Sequence, residues 1–532
     1  AVRAATVGIY PTNPAPEVAY LLAHSGARVL IAEDQEQVDK ALEVAGDCPD
    51  LAHIVYIDPR GVRGRYRHPA LMSWEELLER GAAHRRAHPD ALAGRMADAV
   101  PDDVATLIYT SGTTGPPKGA MLSVANLEYA IATHASGVGF ADPAPGPHDL
   151  LLSYLPLSHV VERTFTTWFN AGAGTQVNFA ESIATVQPNL AEIQPTILFS
   201  VPRIWEKILA GVQIKLASAS WPKRYAARLW LRLAGWIGDT LVRTGGTHTA
   251  ATRLAYAVGW VCWYRALRER IGLRRVRAAV SGAAPIAPDV LKFFMGIGVP
   301  MFEAYGMTEN AAIATSNRPG RVRLGTVGEP LADAEVDIDA DGEILTRHPA
   351  VFAGYHRDPE ATGKVLTPDG WLRTGDIGEW VAGTHIRITD RAKDIIITAG
   401  GKNVAPSELE NALKASPYVK EAVVIGDRRP YLAALVGIEY DTVGQWAQRR
   451  KLGFTTYRDL SSKPEVIDLV RRVIDEVNAR FASVEQIKRF RMLPKELDHE
   501  DGELTASQKV KRTAIADRFS DLIEELYEKE PA

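Results

Sequence analysis

The chain has 532 residues, 46% hydrophobic and 24% charged, with 61 basic and 65 acidic side chains and a net charge of −4. Such a length exceeds one hydrophobic core and implies two or more domains, the composition excludes a disordered or fibrous protein, and the near-neutral charge gives no global attraction for nucleic acid. Two cysteines in unrelated contexts, Cys48 and Cys262, exclude a disulfide framework or a cysteine metal site and fit a reducing, cytoplasmic setting.

The sequence starts, without methionine, in what reads as the middle of an α/β domain, so residues are expected to precede Ala1. From Val7 to about Ala32 the pattern is strand, helix, strand: VGIY, a proline-marked turn, PEVAYLLAHSG, then RVLIAE. Similar apolar runs recur at DLLLSYLP, PTILFSVP, RVRAAVSG and VPMFEAYG with helical stretches between them, the alternation of parallel sheet layers. Beyond about Leu324 the strands become short and Gly/Asp-punctuated, as in a small β-rich subdomain. After Asp390 come a helix, two strands (EAVVIGD and YLAALVGIEY), helices and a charged tail. The fold class is therefore α/β: a large N-terminal domain (1–389) of layered, mostly parallel sheets with a β-rich subdomain, a hinge (390–394) and a small mobile α+β C-terminal domain (395–532). No apolar run reaches the roughly 18–20 residues of a membrane span, and no signal peptide is evident.

Several short segments carry chemistry. YTSGTTGPPKGA (109–120) has the glycines, hydroxyls and lysine of a phosphate loop but departs from the Walker pattern, with Pro117 in place of its second glycine and Gly119 in place of its Ser/Thr. Pro116 and Pro117 have no N–H to offer a phosphate. Thr110, Ser111, Thr113 and Thr114 supply rotatable hydroxyls, Gly112 and Gly115 permit tight turns, and Lys118 supplies charge, so the loop can grip a polyphosphate and release it. The plain alternative is a solvated turn between a strand, 105–109, and a helix.

FEAYGMTEN (302–310) follows an apolar strand, where ligands of parallel sheets collect. There Tyr305 can stack on a base, Thr308 can donate to a phosphate, and Glu309 can hold Mg²⁺; a buried Tyr with a surface Glu is the structural alternative. Asp376 in WLRTGD suits paired ribose hydroxyls, or is a turn residue. Ser407 and Glu410 have the spacing of a capping box for the next helix. Gly400 and Gly401 let the backbone pass something narrow or simply turn, and Lys509, Lys511 and Arg512 stand on a charged, solvated stretch. The stretch 221–275 holds eleven Lys/Arg against Asp239 and Glu269, with five tryptophans. Trp230, Leu233, Ile237 and Leu241 fall at helical spacing there, pointing to peripheral contact with the inner face of a membrane or to core helices with a solvated basic face.

Taken in this order, the segments resemble the adenylate-forming superfamily of acyl-CoA synthetases, luciferases and peptide-synthetase adenylation domains, over nearly the whole chain. The resemblance implies a phosphate loop at 109–120 and nucleotide contacts at Ser281, Gly282, Ala283, Ala284 and Pro285 of SGAAPI and at Tyr305, Gly306 and Thr308. It implies Mg²⁺ at Glu309, ribose at Asp376, Arg391 toward the nucleotide, a pivot at Lys393, and Lys509 as the mobile-domain lysine, catalytic with Thr308 and Glu309. LPLSHVVERT and SVPRIWEKI look most like long-chain fatty acyl-CoA synthetases. This likeness places His159, Glu162, Arg163 and Gly306 at the acyl substrate, with Phe165, Trp168 and Phe169 suited to an apolar tail or to core packing. The implied reaction is ATP-dependent acyl-adenylate formation followed by transfer to CoA, with Gly400, Gly401 and Lys402 brought to a pantetheine tunnel. Alternatives are a ligase that loads an acyl-carrier protein and a silent ATP- or lipid-binding homologue. Two departures stand out: Val124 replaces a histidine common after the phosphate loop, and the family's first strands and helices are absent.

Overall fold

The computed structural model describes residues 3–110, 116–136, 140–217, 219–499, 501–505 and 509–528. The strands Ile197–Ser200, Ala278–Ser281 and Met301–Tyr305 run parallel side by side, with Ser200, Ser281 and Glu303 in register near their carboxyl ends. Their short apolar runs suit strands covered on both faces, and Ala278, Ala279 and Val280 are buried. Two short antiparallel strands, Thr315–Ser316 and Glu329–Pro330, extend the sheet. A separate parallel sheet joins Val29–Ala32, His53–Tyr56 and Leu71–Ser73, and Leu150–Ser153 pairs in parallel with Gln176–Phe179.

At the phosphate-loop segment the alternative reading, a turn from a strand into a helix, is corrected. Val104–Thr110 and Lys118–Ser123 are antiparallel partners, with Thr110 opposite Lys118, so a strand and not a helix follows the segment. Ala120 and Leu122 are fully buried, the alternation of a strand, and the helix Val124–Ala135 begins only afterwards, capped reciprocally by Ser123 and Asn126. Residues Ser111, Gly112, Thr113, Thr114 and Gly115 lie outside the described residues.

Glu335–Ile338, Glu343–Arg347, Leu372–Val381 and His385–Arg391 form the antiparallel sheet of the β-rich part. Farther on, Val419–Ile425 and Leu432–Ile438 are antiparallel, and Ile487–Met492 adds a parallel third strand. All seven residues of Leu432–Ile438 are buried because helices cover both faces of this sheet. The helix Pro464–Asn478 lays down Val466, Leu469, Val470, Val473, Ile474 and Val477 as one apolar stripe. This C-terminal part thus has hydrophobic clusters of its own, apart from the main one in the larger part.

The capping box expected at Ser407 and Glu410 is also corrected. The helix Pro406–Lys414 starts at a proline, and its N-cap residue Ala405 has no side-chain cap. Ser407 instead reaches back to Asp390: its backbone N–H donates to Oδ2 (3.2 Å) and its hydroxyl to Oδ1 (2.9 Å). A carboxylate at a helix N-terminus satisfies orphan donors and opposes the helix dipole, so Asp390 ties the end of the strand His385–Arg391 to this helix. Glu410 turns inward to accept from Val424 N–H and to pair with Arg512 at 2.7 Å.

Candidate functional site

The carboxyl ends of the three parallel strands, the β-rich sheet and the C-terminal part enclose a cleft of about 3390 Å³. That is several times an ordinary small-molecule pocket of roughly 300–1,000 Å³, because it is the gap between the two parts of the chain. Of the residues singled out in the sequence, Thr110, Lys118, His159, Ser281, Ala283, Ala284, Pro285, Tyr305, Gly306, Thr308, Glu309, Asp376, Arg391, Lys393 and Lys509 line it. Stretches nearly 400 residues apart in the chain therefore converge on one space.

Backbone geometry fixes the floor of the cleft. Ala283 adopts a left-handed φ of 68°, which turns the segment after Ser281 sharply. A Cβ on Gly306 would lie 2.3 Å from the Ala312 carbonyl carbon, so only glycine lets the 311–313 loop fold back this closely. The loop is held by Asn310, fully buried, whose Oδ1 accepts from Met307 N–H at 2.7 Å.

On the cleft wall, Tyr355 donates its hydroxyl to Glu309 Oε1 at 2.7 Å, and Lys118 Nζ lies 5.3 Å from the Tyr355 ring centre. Burial raises the Glu309 pKa, with the Tyr355 hydrogen bond opposing the rise. One carboxylate oxygen is thus occupied, and the carboxylate remains a hard donor, suited to an oxygen-seeking cation, beside a lysine that could hold phosphate. Among the described residues no group of three His, Cys, Asp or Glu side chains forms a cage. A divalent cation at Glu309 would therefore take most of its ligands from substrate phosphates and water, which is how Mg²⁺ usually binds.

Asp376 is buried, accepts from the Tyr305 hydroxyl at 2.6 Å and pairs with Arg391 Nε at 3.2 Å, its partner across the antiparallel strands. Tyr305 packs among Ala314, Ile344 and Ile386, and burial followed by the Asp376 charge pushes its pKa far up, so it stays a hydrogen-bond donor. Lys509 is tied to Thr505, its backbone N–H donating to Thr505 Oγ1 at 3.0 Å. Its side chain is open to the water of the cleft yet walled by both parts of the chain. Desolvation there and the Arg391 charge lower its pKa, opposed by Asp376 and Glu309, the acids that share the space. His159 caps the short helix Val160–Glu162 through Nδ1, and burial together with Lys509 lowers its pKa to about 4, so the ring is neutral at neutral pH.

Other expected site residues are not brought to the cleft. Glu162 is buried, accepting from Leu155 N–H at 3.0 Å and from the Thr166 hydroxyl, and Arg163 donates to Leu157 O and Thr6 Oγ1. Both brace the segment that carries His159. Gly282 packs against Phe199 and the Ala304 carbonyl. Gly400, Gly401 and Lys402 form an exposed turn of the C-terminal part, with Lys402 Nζ 3.7 Å from Glu485. Phe165 and Phe169 are core: they surround His134 and Phe140 in an aromatic cluster, within a π-helical stretch, Arg163–Phe169. A π turn often marks a functional stretch, here the one next to His159.

Sequence reasoning missed two acids that line the cleft. Glu303 stands inside FEAYGMTEN itself and was findable as a carboxylate in an apolar strand; burial raises its pKa to about 8. Glu206 lies on the helix Pro202–Ala217, where burial raises its pKa to about 7 against the pull of Lys414 and Arg203. Because Lys414 belongs to the other part of the chain, no local signal marked Glu206.

Comparison with known proteins follows the same division. A profile described as AMP-binding enzyme matches residues 1–356, and one described as AMP-binding enzyme C-terminal domain matches residues 393–531. The chain is 35% identical over 536 residues to the long-chain-fatty-acid–CoA ligase FadD15 of Mycobacterium bovis, covering 100% of this chain and 85% of that protein. It is 33% identical to the long-chain-fatty-acid–CoA ligase ACSBG2 of Gallus gallus, covering 98% and 70%. Among solved structures, the adenylation domain of a Mycobacterium chelonae carboxylate reductase matches with TM-score 0.68 at 22% identity, covering 98% of this chain and 76% of that one. An anthranilate CoA ligase, AuaEII, in complex with anthranoyl-AMP matches with TM-score 0.66 at 21% identity, covering 98% and 84%.

Proposed function

The chain belongs to the AMP-binding enzyme family, and from that premise we propose that it is an AMP-forming ligase that activates a long-chain fatty acid and transfers it to CoA. The observation that carries this reading is the convergence of Lys118, Glu309, Asp376, Arg391 and Lys509 on one cleft. A carboxylate is a poor acyl donor. ATP supplies the remedy: a carboxylate oxygen attacks the α-phosphorus, the bond from that phosphorus to the bridging oxygen breaks, and pyrophosphate leaves from an acyl-adenylate. The CoA sulfur then attacks the acyl carbonyl carbon, and AMP departs with the former carboxylate oxygen. The substrates bring the nucleophiles, so the protein needs to position them and stabilise charge rather than supply a nucleophile of its own.

Each residue then has a task suited to its surroundings. Lys118 and the hydroxyl loop hold the β- and γ-phosphates, which must leave together, and Thr308 donates to phosphate. Glu309 would hold magnesium, which supplies charge neutralisation on the phosphates. Asp376 receives ribose hydroxyls while Tyr305 and Arg391 keep its carboxylate oriented. Lys509 lies beside Arg391, Asp376 and Glu309, where a cation steadies charge that builds on the α-phosphate and the attacking carboxylate. Two free cysteines, Cys48 buried and Cys262 exposed, support a reducing cytoplasmic setting.

Given ATP, magnesium, CoA and a series of carboxylic acids, the protein should release AMP and pyrophosphate one for one with acyl-CoA, fastest with long-chain acids. Formation of ADP, or ATP turnover independent of the acid, would contradict the reading. Efficient transfer to acyl-carrier protein but not to CoA would move the enzyme to the carrier-loading class.

A further inference from the structure

The helix Trp221–Arg243 gives one face to the core. Ala227, Ala234, Ile237, Gly238 and Leu241 are buried, and a Cβ on Gly238 or Gly296 would lie within 2.5 Å of backbone of the facing helix, so the two helices meet at their glycines. Trp230 and Leu233 also pack against the core. Of the two readings the sequence offered for the stripe Trp230, Leu233, Ile237, Leu241, membrane contact or core packing, the core one holds.

The outward face is apolar in its own right. Trp221, Tyr225, Leu229 and Trp236 are 75, 71, 57 and 43% exposed, at spacings that keep them on one side of the helix. The next helix, Ala250–Gly259, and the turn after it repeat this with Leu254, Val258 and Val261, up to 80% exposed. The Tyr264 hydroxyl donates to Trp230 O at 3.0 Å, which ties the second stretch to the first helix. Seven of the twenty large exposed apolar side chains among the described residues thus gather within 41 positions, 221–261, more than scattered surface residues would give.

Charge identifies the occupant. Lys223, Arg224, Arg228 and Arg232 are exposed along the first helix, with Arg253 on the second and Arg265 at the start of the helix Arg265–Arg270, and among the described residues none of the six pairs with a carboxylate. The two acids of the stretch are already neutralised, Asp239 by Lys292 at 3.3 Å and Glu269 by Arg274 at 3.1 Å. A second copy docking by the same face would set six cations against six. We infer that this face docks on an anionic lipid surface, the apolar rows entering the headgroup region and the cations meeting lipid phosphates. The helix Pro202–Ala217, whose residues from Arg203 to Lys215 line the cleft, ends four positions before Trp221. Docking therefore brings that end of the cleft to the lipid, where an apolar acid dissolves. This delivery role rests on the fatty-acid reading above, but the docking itself does not.

The test is co-sedimentation of the full chain, without ATP or acid, on vesicles of phosphatidylcholine alone and of phosphatidylcholine mixed with phosphatidylglycerol. Binding is expected on the mixed vesicles and should weaken when salt rises from about 0.1 to about 0.5 M. It should fall at least about tenfold in a Trp221→Ser, Tyr225→Ser, Leu229→Ser variant, with circular dichroism unchanged. A Lys223→Gln, Arg224→Gln, Arg228→Gln, Arg232→Gln variant should lose the preference for anionic vesicles. Absence of binding to either vesicle would overturn the proposal. So would a light-scattering dimer that the serine variant abolishes, which would assign the face to self-association. Because no substrate is present, failure here leaves the catalytic reading to its own test.

Discussion

Glu303, in the middle of Met301–Tyr305, is in parallel register with Ser281, and neither Glu303 Oε2 nor Ser281 Oγ has a partner among the described residues. Burial raises the carboxyl pKa to about 8, so at neutral pH it keeps its proton and can act as a donor at the cleft wall. The sign of the stability effect follows. Between the ordinary carboxyl pKa and about 8 the folded chain holds a proton that the unfolded chain has lost, so stability declines as pH rises through that window. Gln at this position mimics the neutral acid without the titration. The melting temperature of Glu303→Gln should therefore gain on the parent as pH goes from about 6 to about 9, by roughly 2–5 °C. A constant offset across that range would show that Glu303 is already ionised in the fold.

At the scale of elements, the helix Pro202–Ala217 faces the helix Pro406–Lys414 and the strand Val419–Ile425 across the cleft. Arg203 Nη1 meets Glu421 Oε1 at 3.1 Å, and Glu206 feels Lys414 and Glu421. Arg203 is half exposed, so the pair itself is weak, but Arg203→Glu would set a third acid beside Glu206 and Glu421. Adenylate formation should slow by about three- to tenfold in Arg203→Glu and recover largely in Arg203→Glu with Glu421→Arg, read by pyrophosphate release. If the double variant is as slow as the single one, the pair does not hold the two parts together. Such a contact, 218 positions apart in sequence, leaves no local pattern. What was legible were the apolar parallel strands and the motifs at their carboxyl ends, because burial and glycine geometry are written locally. The antiparallel pairing of Thr110 with Lys118 and the Asp390 cap on Ser407 were not. In each of these, pairing or packing partners far along the chain decided between two locally acceptable structures.

At the scale of the whole molecule, the structure sets Lys509 in the cleft while the Gly400–Gly401 turn lies outside it, on the surface of the same C-terminal part. Both sit on one compact body with cores of its own, joined to the rest through the 390–394 segment, so a rotation that brings the turn inward would carry Lys509 out. On this account the arrangement described serves the first half-reaction and a different one serves the second. The most direct test measures both half-reactions in Lys509→Ala: pyrophosphate release from ATP and fatty acid, and acyl-CoA formation from supplied acyl-adenylate and CoA. The account predicts a loss of about 100-fold or more in the first with the second nearly unchanged. Equal loss of both, or retention of the first, would contradict it.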